Sequence, residues 1–176
     1  MTLYKKIILS TLALASLVLA GGCGIYSFHN TSIPVGVKTV YIGFIDNKAA
    51  YINPQLSAQL TDAFTQLVAN QTKLKRVNDM DANYVITSTI TNYDVTTSGV
   101  STTQASQNRL TVGVHIVLNE HYTADTTVIN DTKEYDASGN YDFSASLSLQ
   151  QAESQLMPQI LKDMAQSMFN KVFSNW

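Results

Sequence analysis

Apolar residues recur at every second position through Arg109–Asn119 (RLTVGVHIVLN), so that Leu110, Val112, Val114, Ile116 and Leu118 share one face without a break. A period of two marks a half-buried strand, and this is the strand that should cover the core. Residues 37–44 (VKTVYIGF) are rich in β-branched and aromatic side chains, predict a first strand, and run into the turn-favouring pair Asp46-Asn47. The period then changes. In INPQLSAQLTDAFTQLVANQT, Leu56, Leu60, Phe64, Leu67 and Val68 lie on one side of a helix, with Asn53 placed as N-cap and Pro54 as first helical residue. KLKRV can add a brief strand before the polar turn NDMDAN. From Asn83 to Val95, Tyr84, Ile86 and Ile90 alternate with polar residues, but Tyr93 and Val95 have the opposite parity, which predicts a bulge near Asn92. TTSGVSTTQASQ reads as a long exposed hairpin loop. Thr126 to Tyr135 alternates weakly and carries Asp131, Lys133 and Glu134, as an edge or solvated strand would. Last comes the longest helix, with Leu149, Ala152, Leu156, Ile160, Leu161, Met164, Met168, Val172 and Phe173 at helical spacing; Pro158 should kink it or divide it near Gln155. The order β, α, β, β, β, α predicts an α+β two-layer sandwich: a four-stranded mixed sheet with both helices packed on one face. The other sheet face is rich in threonine and open to a partner.

The N-terminal pattern is of another kind. Lys5 and Lys6 precede an uncharged apolar run from Ile7 to Ala20, as in a secretory signal. Its fourteen residues would rise only about 21 Å as a helix, short of a ~30 Å hydrocarbon core. Ala20-Gly21-Gly22 then leads to Cys23, the single cysteine in 176 residues, an arrangement similar to the lipobox of bacterial lipoproteins. An ordinary signal that leaves a free thiol is the competing reading, and an unpaired cysteine is a liability in an exported protein. The expected organisation is a cleaved lipoprotein signal over residues 1–22, a lipidated lead over 23–36 and one domain over 37–176. Two or three acyl chains anchor a protein stably, so a membrane partner follows. Residues 24–32 contain no acidic residue, and the periplasmic face of the outer membrane is the expected location.

Composition narrows the partners. The full chain has a formal charge of −2, and loss of the two leader lysines takes it to −4. Nucleic acid is thereby disfavoured, because duplex binding needs a stripe of phosphate-facing cations. With its cysteine committed to lipid, the domain holds together by apolar packing without a disulfide.

Catalytic patterns are missing. No G-x-S-x-G elbow, P-loop or dinucleotide-binding glycine pattern occurs, and no cofactor is implied. His115 and His121, with Glu120 beside the second, lie six residues apart, roughly 20 Å along a strand, with no third ligand at matching spacing, so no metal site is expected. Lys73, Lys75 and Arg76, after the first helix, form a cation cluster that could meet phosphate; the simpler explanation is that they complement the helix dipole. Arg109 is the next candidate cation.

The stretches CGIYSF, VKTVYIGFIDNKAAYINPQLSAQLTDAF, QTKLKRVNDMDANYVITSTITNYDV and NRLTVGVHIVLN, with the terminal MFNKVFSNW, resemble the LptE family of lipopolysaccharide-assembly lipoproteins, in the branch beginning C-G-[IV]-Y-[ST]-F. The resemblance runs from Cys23 to Trp176. It implies a non-enzymatic partner of the outer-membrane β-barrel LptD, sitting in the barrel as a plug, assisting its assembly and handling lipopolysaccharide on its way to the outer leaflet. The strand-then-helix opening also looks like lipoprotein activators of peptidoglycan synthases and curli-secretion lipoproteins. The short lead disfavours an activator that must reach across the cell wall.

Overall fold

The computed structural model describes residues 33–98 and 107–174. The signal segment, Cys23 and most of the predicted 96–107 loop lie outside the described residues. Eight elements follow one another: β1 (Thr39–Ile42), β2 (Asp46–Asn47), α1 (Leu56–Gln71), β3 (Lys75–Arg76), β4 (Tyr84–Ser98), β5 (Gln107–Ala124), β6 (Thr127–Ser144) and α2 (Leu149–Phe173). The sheet is mixed and has six strands, in the order β3-β1-β4-β5-β6, with β2 also paired to β4. The α+β class with two helices therefore stands, and the expected four strands are corrected to six. KLKRV supplies β3, which pairs in parallel with β1. Asp46-Asn47, expected as a turn, is instead β2, held in parallel register against Thr89 and Ile90. The first strand is correspondingly shorter than expected.

The long alternating run does what its pattern requires. β5 pairs antiparallel with β4 on one side and β6 on the other, and Leu110, Val112, Val114, Ile116 and Leu118 are all buried. The register of β4 slips between Ile90 and Asn92, which turns both Ile90 and Tyr93 into the core; this is the expected bulge. β6 continues nine residues past its expected end at Tyr135, to Ser144, because every position from Gln107 to Ala124 has a partner on it. It forms the edge of the sheet, as its charge pattern indicated.

Leu56, Leu60, Phe64 and Val68 of α1 and Ile160, Met164, Met168 and Phe173 of α2 close over the same apolar face, forming one core with the sheet. Each such fully buried side chain contributes about 1.5–3 kcal/mol relative to exposure. Asn53 does cap α1, but from one turn ahead: its Oδ1 accepts from the N–H groups of Gln55 and Leu56 at 3.0 and 3.2 Å, so Pro54 precedes the helix. α2 begins with a reciprocal capping box between Ser148 and Gln151. It runs through Pro158 as one helix of 25 residues, undivided at Gln155.

Strand directions give the molecule two ends. β1, β3 and β4 are parallel, so the starts of all three lie at one end, with the β5–β6 turn and the end of α1. The lead enters there. Gly36 passes so close to the backbone of Thr123 that a Cβ on it would collide with the Thr123 carbonyl. α2 also finishes there, its Phe173 ring 6.4 Å from that of Tyr84. The starts of both helices, the end of β4 and the start of β5 are at the far end.

Candidate functional site

Three surfaces carry the polar chemistry: a cation-bearing edge, the outer face of the sheet, and two buried carboxylates. At the entry end, Lys75 and Arg76 form β3, the short edge of the sheet, and both are exposed. Lys73 lies just before them, past the end of α1, whose last turn contains no basic residue. The dipole explanation for this cluster is therefore corrected: two of the three cations belong to a strand, where charge on an edge also discourages pairing with another chain. The fold adds Lys38, whose carbonyl accepts from the N–H of Lys75 at 2.9 Å. Lys38 and Lys73 line a groove of about 720 Å³ with Ile33, Val35, Val37 and Leu74. That pairing of lysines 35 positions apart rests on the parallel β1–β3 register, which no local pattern announces.

Arg109 is not part of this cluster. It faces Thr96 near the end of β4, whereas Arg76 is in register with the start, a separation of roughly 40 Å for twelve residues of strand. Its guanidinium forks onto Asp142 at 2.7 and 3.0 Å. The bond to Asp142 raises the guanidinium pKa, and the same bond lowers that of the Asp142 carboxyl.

The outer face of β5 and β6 is a ladder of cross-strand polar pairs. Thr111 donates to Asn140 at 2.9 Å, His115 Nδ1 lies 2.9 Å from Asp136, and Thr132 donates to Asn119 at 2.8 Å. His121 is engaged separately, 3.0 Å from Asn130. Among the described residues no group of three metal-ligating side chains converges.

Two carboxylates are buried. Glu120 continues the parity of the apolar stripe of β5 and is 4% exposed; the Lys133 ammonium reaches both its oxygens at 2.9 and 3.0 Å. Lys133, expected to mark a solvated strand, thus neutralises a buried charge, and its own pKa rises through that bond. Glu153, near the start of α2, is 8% exposed and accepts a 2.8 Å bond from the Tyr93 hydroxyl. Burial, reinforced by this bond, raises the Tyr93 pKa well above the ordinary phenol range and keeps the hydroxyl a donor. No sequence motif marks Glu153, and Glu120 stands out there only as the neighbour of His121, although Glu120 falls on an alternating stripe and Glu153 on a helical one.

Among the described residues the polar groups are thus spread over one face and one edge of an α+β domain. The chain belongs to the LptE lipopolysaccharide-assembly family, whose model matches residues 37–172. No curated protein matches the sequence. Among solved structures the fold is similar to a neuraminyllactose-binding hemagglutinin homologue from Helicobacter pylori, with 11% identity, TM-score 0.50, and coverage of 80% of this chain and 88% of that one. The protein CT253 from Chlamydia trachomatis gives 11% identity and TM-score 0.43 over 77% and 91% of the two chains. Lipoprotein GNA1162 from Neisseria meningitidis gives 9% and 0.38 over 74% and 99%.

Proposed function

We propose that this protein is an outer-membrane lipoprotein that plugs the lumen of the LptD β-barrel, assists its assembly and helps deliver lipopolysaccharide to the outer leaflet, without catalysing a reaction. Family membership supports the lipopolysaccharide pathway. The observation that carries the plug itself is the polar outer face of the sheet. β5 and β6 each have 18 residues, a length of roughly 60 Å that exceeds the ~25 Å apolar band of an outer-membrane barrel, and their outward groups suit a polar lumen. In this reading residues 1–22 are a cleaved signal, Cys23 carries the lipid, and residues 37–176 are the plug. Lys73, Lys75 and Arg76 are the side chains offered to lipid phosphates; Arg109, roughly 40 Å away and forked onto Asp142, stands apart from them.

Affinity purification of the tagged, acylated chain from detergent-solubilised envelopes tests the reading. A large outer-membrane barrel should co-purify in near-stoichiometric amount. Recovery of inner-membrane synthases alone would reject it.

A further inference from the structure

The two buried carboxylates are not treated alike. Glu120 has its cation from within the chain, whereas Glu153 has only the neutral Tyr93 hydroxyl on Oε1; among the described residues no donor reaches its Oε2 and no lysine or arginine pairs with it. Glu153 is more than nine-tenths buried as a residue, so its carboxylate keeps little of its hydration, and a cation paired with it would offset that loss. Glu153 also lines an open cleft of about 550 Å³ between the starts of α1 and α2, with room for a side chain from outside.

The walls of that cleft indicate what fits. Tyr51, 40% exposed, lines it and stacks on Tyr93 at 5.5 Å and 23°, offering an aromatic face to a planar cation. Gln55, Gln59 and Gln150 line it as well, and their amide oxygens can accept the remaining N–H groups of a guanidinium. Beside Tyr51, on the same connection between β2 and α1, Ile52 is 61% exposed, an apolar rim. The cleft lies at the far end of the molecule, opposite the entry of the lead. In a plug tethered through that lead, it is the end that reaches deepest into the barrel.

We propose that this cleft is a socket for a basic side chain, arginine above lysine, projecting from the lumen wall of the partner barrel, with Glu153 as counter-ion and Tyr51 as stacking surface. The proposal rests on the plug reading and names the contact that seats it. It assigns Glu153 a role that its hydrogen bond to Tyr93 does not exhaust, because one acceptor oxygen satisfies that bond.

A photo-crosslinking amino acid at Ile52, in the full acylated chain expressed with its barrel, tests the socket. Mass spectrometry of the crosslinked peptide should find a barrel segment containing arginine or lysine. Glu153→Gln keeps an acceptor for Tyr93 and removes the charge, and Tyr51→Ser removes the stacking face; each should lower the crosslink yield about fivefold or more. The socket is overturned, with the plug reading intact, if the barrel co-purifies but Ile52 does not crosslink to it. A crosslinked segment without a basic residue, or a yield that neither substitution changes, overturns it equally. Failure to recover any barrel removes both readings together.

Discussion

Tyr141 shows how a polar atom can be buried without a partner, as Asn47 Nδ2 and Thr65 Oγ1 also are among the described residues. Its ring lies over Gly139, where any Cβ would strike it, and its hydroxyl is buried without a hydrogen-bond partner among the described residues. Burial, and then the charge of Asp163, push its pKa up to about 12 from 10.0. Because the folded state holds this proton more tightly than the unfolded chain, the associated stability is complete below about pH 10 and is lost as pH rises toward 12. Tyr141→Phe is predicted to stabilise the domain by about 1 kcal/mol at neutral pH and to flatten the alkaline decline, both readable from urea denaturation at constant slope. A less stable variant would show that the hydroxyl has a partner. Single positions were partly legible. The parity of β5 carried Glu120 into the core, but nothing local indicated that Lys133, thirteen residues on, would neutralise it.

Elements were legible where period and burial coincide. β5 presents an unbroken apolar run from Leu110 to Leu118, and both helices form over the segments their spacing marks, α1 starting at Leu56 and α2 burying Glu153 among its apolar side chains, with the bulge at Asn92. The misread segments are those whose order comes from a neighbour. Asp46-Asn47 has turn chemistry yet pairs with β4, and residues 136–144 hold glycine, asparagine and two aspartates yet complete the ladder on β5. Pro158 is the remaining conflict, since a proline in a helix interior removes a hydrogen bond and crowds the preceding turn. It is exposed, so its ring contributes no core packing. Pro158→Ala is predicted to raise stability by about 1–3 kcal/mol, measured by the urea midpoint. No gain would mean that α2 needs the bend a proline imposes.

For the whole molecule, polarity between its ends organises the functional reading. The lead and the cations of β3 share one end, and the open cleft with Glu153 occupies the other. Changing Cys23 to Ala is expected to shift the protein from the membrane to unprocessed or soluble fractions; unchanged fractionation would overturn lipidation. Triple neutralisation of Lys73, Lys75 and Arg76 to Gln is expected to weaken lipopolysaccharide binding about tenfold in a salt-dependent manner, measured with the purified protein. Undiminished binding would leave these residues only the role of guarding a sheet edge.

The sequence by itself determined the α+β class, the order of the main elements, the family likeness and the face each long element buries. These follow from period, and period is a property of consecutive residues. Only the tertiary structure decided the strand count, the length of β6, the separation of Arg109 from the other cations, and which buried carboxylate received an internal counter-charge. Those depend on register between segments distant in sequence, where pairing energy outweighs local propensity.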